Sequence, residues 1–174
     1  MAERNVLVDG GVDNVRTLAS GDTVAQLTRG LFNDVSDVSS NADPTVLATN
    51  SVIANTFISN GGMITARYFG TMVASANDRA LTLKFGGTII STQLYDTFTS
   101  SAFEIDAQII RESSSIVKCY VTIYVPQLYP HSTYTRITGL SLTSTAYNLE
   151  LSANQTSNND VVFKFSKITY TPGI

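Results

Sequence analysis

The side chains with which this chain could do chemistry are one histidine, a pair of carboxylates, one thiol and a short acidic stretch. His131 is the only histidine, and Pro130-His131-Ser132 reads as a loop. A hydrolytic triad would need it in one cleft with a serine and an aspartate. Both types are abundant here, so their presence discriminates nothing, and no G-x-S-x-G elbow occurs. The expectation is a solvated loop histidine. Glu104 and Asp106 stand two apart in an alternating segment, so both carboxylates point to one face. A retaining glycosidase needs its pair about 5 Å apart, whereas same-face strand neighbours sit about 7 Å apart. The simpler reading is a polar outer face whose carboxylates meet Lys or Arg on an adjacent strand. Cys119 is the only cysteine, which excludes an internal disulfide and a multi-cysteine metal site. It alternates in register with Val121, Ile123 and Val125, as a small core residue would. Asn33, Asp34, Asp37, Asn41 and Asp43 offer hard oxygen ligands, but calcium-loop spacing is absent. Turn and cap duty fits them better. No phosphate-binding or dinucleotide glycine pattern is present. No catalytic, cofactor-binding or metal-ligating residue is therefore assigned, and a non-enzymatic protein without cofactors is expected.

The elements that must carry these side chains are strands. Leu81, Leu83 and Phe85 alternate with Thr82 and Lys84. Phe103, Ile105, Ala107 and Ile109 alternate with Glu104, Asp106 and Gln108. A period of two marks strands with one face on a core and the other in contact with polar surroundings. The pattern predicts strands over Thr45–Thr49, Ile53–Ile58, Met63–Met72, Ala80–Phe85, Thr88–Ser91, Ala102–Arg111, Ile116–Val125, Arg136–Leu142, Ala146–Leu151 and Val161–Tyr170. Between them, Asn60-Gly61-Gly62, Asn77-Asp78, Gly86-Gly87 and Asn158-Asn159-Asp160 suit left-handed turn conformations. Pro126 and Pro130 close the strand before them, because proline has no N–H for the ladder. Short strands at this spacing, without helices between, imply a β-sandwich or barrel.

Composition narrows the function classes. The 174 residues suit one domain with an appended arm. Charged residues are only 14%, while Ser and Thr together number 41. A surface of hydroxyls and amides suits close packing against other protein more than electrostatic steering. A net charge of −3 without a basic cluster argues against nucleic acid as a partner. MAERNVLVDGG has no apolar signal core, and no apolar run approaches the roughly 18 residues of a spanning helix, so no membrane partner is expected. The sequon Asn154-Gln155-Thr156 is irrelevant without secretion.

Residues 1–41 read differently from the rest. They carry turns at Asp9-Gly10-Gly11, Ser20-Gly21-Asp22 and Arg29-Gly30, and a single aromatic, Phe32. The short apolar pieces between, Val6–Val8 and Val15–Leu18, cannot form a sheet alone and should pair with something larger. A helix competes for part of this stretch. Thr23 with Gln26 makes a capping box, and Val24, Leu27, Leu31 and Val35 fall near one face, with Gly30 weakening it. The expected organisation is an extended N-terminal arm, 1–41, followed by a β-sandwich domain, 42–174.

Several phrases resemble a known family. Ala54-Asn55-Thr56, ALTLKFGGT at Ala80–Thr88, FEIDAQIIR at Phe103–Arg111 and Lys167-Ile168-Thr169 are similar in wording and order to bacteriophage jelly-roll virion modules of the head-decoration, cement and tail-fibre type. Val15–Leu27, VRTLASGDTVAQL, also resembles a segment of such proteins. The resemblance covers the chain from about residue 45 to the end. Phe103 stands where the family often has Trp, and Arg111 is followed by acidic Glu112. The resemblance implies an all-β, jelly-roll-like antiparallel β-sandwich located in the virion, assembled in the host cytoplasm. It implies a capsid decoration or cement protein, a homo-oligomer such as a trimer, bound to the major capsid protein or another virion protein. The alternative is a tail-fibre or tail adaptor module binding a host-surface glycan or receptor. No shaft of repeats or coiled coil is present, which favours the first.

Contact residues are then sought on the arm, at Val15, Leu18, Val24, Leu27 and Phe32, and among the tyrosines Tyr120, Tyr124, Tyr129 and Tyr134. Tyrosine buries area while keeping a polar handle. Tyr120 and Tyr124 share a strand face with Thr122, opposite Cys119. That face can be a trimer contact, a sugar-stacking site, or a surface packed under the second sheet or the arm.

Overall fold

The computed structural model describes residues 29–34, 37–39, 44–52, 57, 59–73, 79–95, 101–126, 128–154 and 160–173. Every regular element among them is a strand: β1 (Arg29–Asp34), β2 (Val38–Ser39), β3 (Thr45–Val52), β4 (Met63–Met72), β5 (Arg79–Phe85), β6 (Thr88–Tyr95), β7 (Ser101–Ser113), β8 (Ile116–Tyr124), β9 (His131–Ile137), β10 (Tyr147–Asn154) and β11 (Val161–Thr171). They form two antiparallel sheets, a large one in the order β1-β11-β4-β7-β8-β9, with β2 also on β11, and a small one in the order β3-β10-β5-β6. Consecutive strands β3 and β4 lie in different sheets, and so do β10 and β11. Each of the late pair inserts beside one of the early pair. The product is a jelly-roll-like β-sandwich.

Alternation decides which side chains the sandwich buries. Leu81, Leu83 and Phe85 of the small sheet face Ile105, Ala107, Ile109, Cys119, Val121 and Ile123 of the large one, all at most 1% exposed. Burial pushes the Cys119 thiol up to about 12, so it stays protonated and inert. Two further contacts join the sheets. The Tyr68 hydroxyl donates to Asn50 Oδ1 at 3.4 Å. On the side of the roll, the hydroxyls of Thr133 and Thr135 in β9 both donate to the Ile90 carbonyl in β6. Those threonines help to hold the two edge strands together.

Local chemistry sets the turns. Gly86 and Gly87 have φ of 58° and 80° and link Phe85 to its partner Thr88. Two left-handed residues in a two-residue hairpin loop belong to a type I′ turn. A Cβ on Gly86 would also press on the Tyr147 ring at 2.7 Å. Arg111 ends the inward row of β7 and is buried. Its guanidinium donates to the Phe57 carbonyl, while its own N–H and C=O pair with Gly62 and Gly61. One arginine thus fastens the β3–β4 connection to the central strand. Arg79 is buried at the opposite end, donating to the Val73 carbonyl. Burial lowers its pKa and Asp160 partly offsets this.

Three expectations need correction. The strand predicted at Arg136–Leu142 lies instead at His131–Ile137. Its inward row is His131, Thr133, Thr135 and Ile137, too polar to register as a hydrophobic period. Gly139 at φ 76° ends it, and Leu140 and Leu142 donate to the Ser115 and Ser114 carbonyls in a turn. His131 is therefore not a solvated loop residue: it pairs with Ile123 and is half-buried. Its Nε2 is shielded and has no hydrogen-bond partner among the described residues. The helical alternative fails at Leu31, which lies in β1.

Of the stretch 1–41, residues 29–39 contribute β1 and β2, which follow one another along the edge of β11. Phe32 pairs with Ile168 there. Residues 1–28, with Val15, Leu18, Val24 and Leu27, lie outside the described residues. So does most of the strand expected at Ile53–Ile58. Its one described member, Phe57, is a buried bend residue set edge-on to Phe85 and Tyr170.

Candidate functional site

The core takes one face of the large sheet, and the other is left outward. Antiparallel register lines its side chains in rows across β4, β7, β8 and β9. One row reads Thr65, Gln108, Tyr120, Tyr134. The next reads Arg67, Asp106, Thr122, Ser132, and beyond it come Phe69, Glu104 and Tyr124. On the other side of the tyrosine row lie Met63, Ile110, Lys118 and Arg136.

Tyr120 and Tyr134 are direct cross-strand neighbours, with ring centroids 4.9 Å apart and planes tilted by 44°. They are 45% and 53% exposed, Tyr124 is 44% exposed, and Tyr129 in the loop after β8 is 98% exposed. Tyr120, Tyr134 and Tyr124 thus stand exposed on one face of the sheet. Of the readings for Tyr120 and Tyr124, packing under the second sheet falls away, because that sheet covers the opposite face of β8. The arm segment 1–28, the other candidate cover, lies outside the described residues.

Polar groups of the face are mostly satisfied within it. Arg67 donates to Glu104 at 2.6 Å, lies 3.8 Å from Asp106, and sits over the Phe69 ring. This is the pairing expected for Glu104 and Asp106 on a polar strand face. Glu112 accepts two hydrogen bonds from Arg136, both 2.9 Å, and has Lys118 at 3.5 Å. The Arg136 bonds and the two positive charges hold its carboxyl at about 2. The Thr122 and Ser132 hydroxyls share a hydrogen bond of 3.1 Å. One group is left over. Asp106 Oδ1 is shielded and has no hydrogen-bond partner among the described residues.

Of the acidic stretch, Asn41 and Asp43 lie outside the described residues. Asp37 pairs with Lys164, and no group of three His, Cys, Asp or Glu among the described residues could hold a metal ion. On the small sheet's outer face, sequence reading missed Val46, Ile89 and Leu94, which are exposed.

No family model and no curated protein matches the chain. Solved structures do. The CBM2 module of the evolved Dit of Lactobacillus casei BL23 phage J-1 is 10% identical, covering 87% of this chain and 99% of that one, with a TM-score of 0.46. Peanut lectin with a 9mer peptide is 9% identical over 88% of this chain and 94% of its own, TM-score 0.45. The Lotus tetragonolobus seed lectin is 12% identical over 86% and 94%, TM-score 0.42. At these identities the likeness is one of fold.

Proposed function

We propose that this chain is a non-catalytic structural protein of a bacteriophage virion, a binding module whose contact surface is the outer face of the large sheet. The observation that carries the contact surface is the exposure of Tyr120, Tyr134 and Tyr124 on that face, with exposed Tyr129 in the loop between β8 and β9. Exposed aromatic side chains held on a sheet lose little conformational freedom on binding and present area with a polar handle. The virion reading is supported by ALTLKFGGT and FEIDAQIIR, which correspond to the β5–β6 hairpin with its glycine turn and to the central strand β7.

On the head, the protein would act as a trimeric decoration or cement protein, with the tyrosine face against a capsid subunit. On the tail, the same face would meet a glycan or receptor of the host surface. The interleaving of tyrosines with hydroxyl and amide side chains favours the second placement. Cryo-electron microscopy of the particle tests both. Density at capsid lattice points supports cement, density confined to the tail supports the adaptor, and absence from purified particles defeats the virion reading. Light scattering tests the trimer, which a stable monomer would refute.

A further inference from the structure

We propose that the outer face of the large sheet binds a neutral oligosaccharide, laid over Tyr134, Tyr120 and Gln108 and extending toward Tyr124. The proposal rests on the reading of this face as the contact surface and adds the chemistry of the ligand. A pyranose has a face of C–H bonds and a rim of hydroxyls. Its C–H face packs on the electron-rich face of an aromatic ring, and its rim needs donors and acceptors beside that ring.

The face supplies both at the right places. Tyr120 and Tyr134 lie side by side and tilted, so they offer a shallow two-ring surface. Gln108 continues their row with an exposed amide. The next row brings the Thr122 and Ser132 hydroxyls, whose single shared bond leaves further donor and acceptor capacity. Tyr124 stands on the same face of β8, four residues from Tyr120 and so about 13 Å away, a span suited to a short chain of sugars.

Charge separates the candidate ligands. Beside the tyrosines, Arg67 is engaged by Glu104 and Asp106, and Arg136 and Lys118 by Glu112. An anionic polymer would have to pull these cations from their carboxylates, and a cationic one the reverse. A neutral ligand disturbs neither. A protein partner would be expected to fill a contiguous apolar centre, whereas the row between Tyr120 and Tyr124 (Arg67, Asp106, Thr122 and Ser132) is guanidinium, carboxylate and hydroxyl. The unpartnered Asp106 oxygen adds an acceptor in the row next to Tyr120. It is shielded in the free protein, and a sugar hydroxyl would reach it through a χ2 rotation that also loosens the Arg67 contact of its partner oxygen.

The test is titration calorimetry and NMR of the full chain with cellohexaose, maltohexaose and chitohexaose, and with oligogalacturonate as the anionic comparison. Saturable binding of a neutral probe is expected, with shifts at Tyr120, Tyr134 and Gln108. Tyr120→Ala should weaken it about tenfold or more, and Tyr120→Phe, which keeps the ring, about threefold at most. Circular dichroism should be unchanged in both, since the residue is exposed. No binding by any neutral probe, preference for oligogalacturonate, or shifts confined to other surfaces would overturn the proposal. Co-sedimentation with particles lacking the protein separates the two levels. If Tyr120→Ala loses attachment while no oligosaccharide binds the wild type, the contact surface stands and its glycan ligand falls. If the variant attaches normally and no oligosaccharide binds, both fall.

Discussion

Arg111 and Glu112 are adjacent in sequence and do opposite work. Arg111 points inward, and its guanidinium satisfies the Phe57 carbonyl in the connection between β3 and β4. Arg111→Ala leaves that acceptor without its donor and removes packed stem atoms, so a loss of about 2–3 kcal/mol in urea unfolding is expected. A loss below about 0.5 kcal/mol would contradict the fastening role. Glu112 points outward to Arg136 and Lys118, which hold its carboxyl at about 2 against an ordinary 4.5. Its folded value lies below its unfolded value. Its contribution is therefore complete above about pH 4.5 and fades as the pH falls from there through about 2. Wild type and Glu112→Gln should differ in unfolding midpoint at neutral pH and converge at low pH, with a smaller gap in about 1 M salt because the pair is exposed. A gap that ignores pH would rule the ion pair out as its cause.

At the scale of elements, sheet register gathers the tyrosines. Tyr120 and Tyr134 are fourteen positions apart in the chain and opposite one another across β8 and β9. Sequence reading found Tyr120 and Tyr124 on one strand face because the apolar row opposite them is strong. The partnership with Tyr134 is not legible along the chain, because the apolar period puts the start of β9 at Arg136, five residues late. An inward row of threonines carries no hydrophobic period, and their role, closing the roll against the Ile90 carbonyl, exists only when β6 is beside them. A second register effect is steric. A Cβ on Gly70 in β4 would collide with the Phe103 ring of β7 and with the Val162 carbonyl oxygen. Gly70 thus makes room for Phe103 in the core, and Gly70→Ala should cost about 3 kcal/mol through overpacking. The paired change Gly70→Ala with Phe103→Leu should recover part of that loss. If the single change is neutral by thermal unfolding, the close approach is not required.

The whole molecule places its edge and its contact face on one sheet. Residues 29–39 close the β11 edge of the large sheet, so the arm can be shortened only up to that strand. Removing residues 2–28 is expected to leave the unfolding midpoint within about 2 °C, since the strands and core described here are retained. If the segment anchors the protein by lying on a neighbour, the same truncation should lower attachment to particles. Removing residues 2–40 instead should lower the midpoint clearly, because it strips β1 and β2 from β11. Equal stability of the two truncations would show that this edge contributes nothing.

The sequence by itself determined the all-β class, the antiparallel sandwich, the glycine turn at Gly86-Gly87, the inert core position of Cys119 and the harmless pairing of Glu104 and Asp106. These follow from local rules: period-two alternation, left-handed glycines, and like side chains repeating every second residue on one face. Only the tertiary structure decided where β9 begins, that His131 and Arg111 turn inward, that residues 29–39 join the sheet, and that Tyr134 completes a surface with Tyr120. Each of these depends on which strand lies beside which. Register is set by the sum of contacts across two sheets, which neighbouring residues along the chain do not encode.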